Sequence, residues 1–161
     1  MREEYREAVT SFVTDLRSTF DHRLVSVVLF GSVADGRARP DSDVDLLLVA
    51  RDLPLGPRRR RALVAAATDR TEALLHRSVP QAFLSLVLKT PEEVERGGPL
   101  FYDMTLPGKA EMLFDRDGYM ADYVRRLRER MAALGSVRRS LHGHPYWDLN
   151  PTWKPGDVID L

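Results

Sequence analysis

Leu29-Phe30-Gly31-Ser32-Val33-Ala34-Asp35-Gly36, followed after a short polar gap by Ser42-Asp43-Val44-Asp45-Leu46, is the stretch that decides how this 161-residue chain is read. The first half is the end of an apolar strand running into a small glycine-containing turn. Such a turn leaves backbone N–H groups open to a phosphate, with no side chain in the way. The second half carries two carboxylates at i and i+2. On a β-strand alternate side chains share a face, so Asp43 and Asp45 are expected to converge. Leu46-Leu47-Leu48-Val49 is apolar at every position, as in a strand buried on both faces. Two acids in such surroundings repel each other and call for a cation. A hard divalent ion such as Mg²⁺ or Mn²⁺ binds through one or two carboxylates together with substrate phosphates.

Working outward, Val9, Phe12, Val13, Leu16 and Phe20 recur at helical spacing and predict an amphipathic helix over about 4–19. Leu24 to Phe30 predicts a buried strand, Val44 to Val49 its partner, and Pro57 the start of a helix running from Arg58 to about Leu75. Gln81 to Leu88 predicts a third strand. Thr90-Pro91-Glu92-Glu93 has the form of a capped helix start. A short strand is expected through Met112-Leu113-Phe114, then a helix from Tyr119 to about Leu134 with Gly135 as its stop. Beyond it the chain has no clear period, and an ordered tail packed by Tyr146, Trp147 and Trp153 is expected.

Composition narrows the classes. Lys+Arg and Asp+Glu are both 24, so no global charge draws the chain to nucleic acid or to a membrane. Cysteine is absent, which excludes disulfides, thiolate metal sites and a cysteine nucleophile. The charged start Met1-Arg2-Glu3-Glu4 has no leader-like apolar core and no run is long enough to span a bilayer, so a cytoplasmic protein is expected. Only Lys89, Lys109 and Lys154 are lysines in an arginine-rich chain.

Gly31-Ser32, ten residues, then Asp43-x-Asp45 resembles the signature of the DNA polymerase β-type nucleotidyltransferase superfamily, in particular its minimal nucleotidyltransferase branch. The finer pattern Gly31-Ser32-x-Ala34-x-Gly36 and Ser42-Asp43-x-Asp45-Leu46 agrees. The match runs from the first helix to roughly Leu88, and Tyr146-Trp147-Asp148-Leu149 through Pro155-Gly156-Asp157-Val158-Ile159 is similar to tails of uncharacterised members. The resemblance implies an α+β fold, a small mixed sheet flanked by helices. Residues 1–90 would be the nucleotidyltransferase core, and 91–161 a C-terminal helical extension and ordered tail of the same domain. It also implies transfer of a nucleoside monophosphate, AMP from ATP, to a protein or small-molecule acceptor. Gly31, Ser32, Gly36, Arg37 and Ser42 would serve the nucleotide and its phosphates, with Arg39 as an alternative to Arg37. Asp43 and Asp45 would be the catalytic metal ligands. Members of the branch work beside a small helical partner protein, some as antitoxins that adenylylate a toxin, so a protein partner is implied and a homo-oligomer is left open.

One departure stands out. Active members add a third carboxylate from the next long strand, yet Gln81 to Leu88 contains no acid. Gln81 or Ser85 would stand in that place, or Asp103 or Glu111 would supply an acid from elsewhere. Two readings therefore remain: a transferase, or a nucleotide-binding or protein-interaction module with a degenerate catalytic site. Arg70 with His76 and Arg139 with His144 fit a loose ribonuclease spacing, and His142-Gly143-His144 a loose metal pattern; both are simpler as surface residues. The run Arg58-Arg59-Arg60-Arg61 reads as a solvated helix face.

Overall fold

A computed structural model describes residues 1, 3–154, 156 and 157; Pro155, Val158 and Ile159 of the tail resemblance lie outside them. Helix α1 (Glu3–Phe20) turns Tyr5, Val9, Phe12, Leu16 and Phe20 to one buried stripe, the spacing that predicted it. Strand β1 (Leu24–Phe30) has the predicted bounds, and all but Phe30 are buried. The expected turn is the single helical turn α2 (Gly31–Ala34). Strand β2 (Val44–Ala50) follows, then α3 (Pro57–Ser78), β3 (Leu84–Lys89), α4 (Pro91–Glu95) and α5 (Pro99–Tyr102). Strand β4 (Ala110–Asp115) and α6 (Tyr119–Ala133) precede a hairpin of β5 (Val137–Leu141) and β6 (His144–Asp148).

The main sheet has the order β3-β2-β1-β4. β1 is antiparallel to both β2 and β4, whereas β2 and β3 are parallel, a relation that needs the long α3 crossover. Alternation along the strands splits the core into two layers. Val27, Leu29, Leu46 and Leu48 pack with α1 and α3. Val28, Leu47 and Val49 pack with Val94, Phe101, Met120 and Leu127 from α4, α5 and α6. The fold is thus α+β, a mixed sheet between two helical layers.

Four details depart from the sequence reading. Strand β3 begins at Leu84 rather than Gln81, because the Ala82 N–H is spent on the Val79 carbonyl in a turn. The tail contains a hairpin, turned by His142 (φ 50°) and Gly143 (φ 82°), a two-residue turn with both φ positive. Arg60 is not solvated. Its guanidinium donates to Glu93 at 2.6 and 2.9 Å and to the carbonyls of Pro54 and Leu88, fixing α3 to α4 and β3. Glu93 also completes the predicted capping box with Thr90, and these contacts hold its carboxyl down at about 2. Finally, Asp43 precedes β2, so only Asp45 of the pair lies within the strand.

Candidate active site

Strand register builds the site around the end of β1. Phe30 is paired with Asp45 on one side and with Ala110 on the other, so the turn at Gly31 emerges between β2 and the approach to β4. Gly31 has φ +71° and lies against the Asp45 carboxylate. A Cβ built there would collide with Asp45 Oδ2 and stand 3.1 Å from its Cγ, so glycine is required by space as well as by conformation. The turn and the acid, 14 positions apart in the chain, are in direct contact.

Asp45 faces the α4–α6 layer, as Leu47 and Val49 do two and four residues on. Burial raises its pKa; the neighbouring Ser85 hydroxyl pulls the other way, and the Asp43 charge raises it further. Asp43 is exposed, its Oδ1 accepting the Phe83 N–H at 3.4 Å, yet its charge is felt at Asp45. The two acids are thus near enough for one charge to act on the other. Ser85 is the registered partner of Asp45 across the parallel β2–β3 pair. It is thus the residue of β3 level with Asp45. Gln81 is left in the preceding turn.

The other proposed sources of an acid have partners of their own. Glu111 is registered with Leu29, on the opposite face of the sheet, and receives the Met1 ammonium at 3.2 Å. Asp103 accepts the Trp147 indole N–H at 2.8 Å and an Arg138 N–H at 3.2 Å. Among the described residues no three His, Cys, Asp or Glu side chains come together to hold a metal ion. The donor set present, two carboxylates beside an open phosphate-type turn, fits a divalent ion that completes its shell from substrate phosphates and water.

On the other side of Gly31 lies a cavity of about 300 Å³, lined by Gly31, Ser32, Asp35, Arg37, Asp103 and Lys109 with Phe30, Leu100 and Met104. Lys109 is placed there by β4, being the residue before the Ala110 that pairs with Phe30. Its ammonium donates to Asp35 Oδ2 at 2.7 Å. Arg37 donates to the same carboxylate through Nε at 2.8 Å and through its backbone N–H at 3.1 Å. Arg37 and then Lys109 hold the Asp35 carboxyl far below the usual carboxylate range. Larger hollows, about 560 Å³ beside Phe114 and about 400 Å³ beside Arg60, contain neither the turn nor the acid pair.

Of the remaining candidates, Gly36 (φ +77°) serves the turn, and a Cβ there would meet nothing. Ser42 ties the loop, its Oγ accepting the Arg39 N–H at 2.9 Å. Lys109 and Asp35 were missed by sequence reasoning. The one signal for Lys109 was its rarity, a lysine kept in a chain that otherwise uses arginine.

Residues 9–96 match the nucleotidyltransferase domain family, more than half of the chain, and the protein belongs to that family. A relative from Methanocaldococcus jannaschii, bearing the name "putative protein adenylyltransferase", is 26% identical over 148 residues, 92% of each chain. Among solved structures, the toxin–antitoxin complex MntA-HpeT, as a mutant, is similar at TM-score 0.48 and 14% identity, covering 78% of this chain and 92% of that one. Spectinomycin adenyltransferase AAD(9) from Enterococcus faecialis, with ATP and spectinomycin, is similar at TM-score 0.45 and 16% identity, covering 81% and 66%. Among the described residues no helix is long and apolar enough to cross a membrane.

Proposed function

We propose that this nucleotidyltransferase-family chain binds ATP with a divalent cation and transfers AMP to a protein acceptor. The observation that carries the reading is the contact between Gly31 and the Asp45 carboxylate, with the Asp43 charge beside it. It supports a phosphate seat and a cation seat sharing one edge. The acceptor class is supported by the name of the Methanocaldococcus jannaschii relative.

In the reaction, an acceptor oxygen attacks the α-phosphorus in line, the bond to the bridging oxygen breaks, and pyrophosphate leaves with that electron pair while the acceptor proton passes to water. Asp43 and Asp45 would hold Mg²⁺ or Mn²⁺, whose role when bound is to neutralise charge on the phosphates. Gly31 and Ser32 would present backbone to the phosphate chain and so position it for displacement. Ser85, in the third-acid place, neither carries a negative charge nor takes a proton readily, and this favours a second reading: a domain that binds nucleotide without turnover.

Incubation with α-labelled ATP, Mg²⁺ and the proteins encoded beside this gene distinguishes the two. Transfer is expected to label one of those proteins, and Asp43→Asn with Asp45→Asn to lower labelling at least about a hundredfold. A rise in melting temperature with Mg·ATP but no labelling would support binding alone. If Mg·ATP neither shifts the melting temperature nor labels a protein, both nucleotide readings fall.

A further inference from the structure

The Asp35–Lys109 pair, joined by the Arg37 that the resemblance assigns to the phosphates, is not part of the proposed cation seat, and it faces the cavity that Gly31 and Ser32 line. The Asp35 side chain is only 7% exposed and that of Lys109 24%, so this is not a surface ion pair of small consequence. Two cations meet the one Asp35 carboxylate, while Asp103 on the same cavity wall accepts from Arg138 and Trp147. Lysine carries three donors on a flexible stem, so Lys109 can turn from one anion to another without the backbone moving. A second anion drawn to Gly31 and Ser32 would share Lys109 with Asp35 and be repelled by it.

We infer that Lys109 binds the terminal phosphates of the nucleotide and that Asp35 is a built-in competitor for it, holding the ammonium in place before loading and reclaiming it as pyrophosphate leaves. This rests on the nucleotide reading of the Gly31–Asp45 site and adds to it a residue and a counter-charge. The site would then discriminate by length of phosphate chain: a triphosphate reaches Lys109, while a monophosphate held by the acid pair does not. Lys109 would be a binding residue, and Asp35 a positioning residue acting through it.

Binding of Mg·ATP, tripolyphosphate and AMP to the full chain tests this by calorimetry. Lys109→Met is expected to weaken ATP and tripolyphosphate about tenfold and to leave AMP within about twofold. Asp35→Asn is expected to tighten tripolyphosphate about threefold, and that gain should vanish in the Lys109→Met/Asp35→Asn double variant. Lys109→Arg should recover part of the lost affinity. Unchanged tripolyphosphate affinity in Lys109→Met, or weaker binding in Asp35→Asn, overturns the assignment. A gain that persists in the double variant moves the role to Arg37 and likewise overturns it. Should Lys109→Met fail to fold, the Asp35→Asn arm decides by itself. If the wild-type chain binds no Mg·ATP, the nucleotide reading falls as well; if it binds ATP but ignores these substitutions, only the present inference falls.

Discussion

Two charge clusters lie on either side of Gly31, and they are opposites. Around Asp45 the Asp43 charge acts with no cation among the described residues to offset it, and burial and that like charge raise the proton affinity of the inner acid. Around Asp35 a single carboxylate receives an arginine and a lysine, and its proton affinity falls. The same residue type, on the two sides of one glycine, is driven in opposite directions by its neighbours. On the function proposed above, the first cluster would take positive charge from outside the chain, and the second would lend it. A magnesium–polyphosphate complex, cation and anion together, is the kind of ligand that answers both.

The largest effect is expected at the glycine that separates them. Gly31→Ala places a methyl group against Asp45 and forces a positive φ on alanine, which should cost about 1–3 kcal/mol of stability. Denaturant unfolding measures that loss, and Mg·ATP binding should disappear with it. Retained binding at wild-type affinity would show that the turn and the acid are not one site.

Glu93 provides a carboxylate whose charge is neutralised for structural reasons, remote from the turn. Its folded pKa of about 2 is depressed by Arg60 and by the Thr90 N–H. The stabilisation is therefore full above the unfolded value, near 4.5, and is lost as pH falls from about 5 towards 2. Glu93→Gln should lower stability at pH 7 by about 2 kcal/mol and flatten the acid limb of the stability–pH curve. Nucleotide affinity should stay as it is. A parallel loss of affinity would mean that the two kinds of neutralised carboxylate are not independent.

The smallest effect is also the most direct probe of the unneutralised side. Ser85→Asp adds a third carboxylate beside Asp45 and should strengthen Mn²⁺ binding several-fold, while lowering the melting temperature without metal by like-charge repulsion. Tighter Mn²⁺ binding, measured by titration calorimetry, would sharpen the contrast between the clusters. Loss of Mn²⁺ binding would show that the side chain of residue 85 does not face the cation seat.

Much of this arrangement was legible in sequence because its signals are local. β1 and β2 are runs of apolar, β-branched residues, and the Thr90-Pro91-x-Glu93 cap is complete within four positions. Asp43 and Asp45 were read as partners from spacing alone, though the strand begins between them. What escaped depends on distant neighbours. The meaning of Lys109 comes from β4 pairing with β1, a contact across 80 positions of chain that no window contains. Arg60 looked like its neighbours in a basic run, and only the fold turns it towards Glu93. The hairpin escaped because its strands do not alternate cleanly: β5 is exposed throughout and Trp147 is the inward anchor on β6.

Strand β1 has hydrogen-bonded neighbours along both edges, and this sets how the site comes apart. Its amides between Val27 and Leu29 should be among the last to exchange with deuterium, since freeing them means parting β2 or β4. The turn, the acid and the lysine are each carried on one of these three strands or at its end. Heating therefore should not loosen the pocket ahead of the molecule: ligand affinity and the folded fraction are expected to vanish in one cooperative event, with no intermediate temperature at which an intact chain has an open, ineffective site.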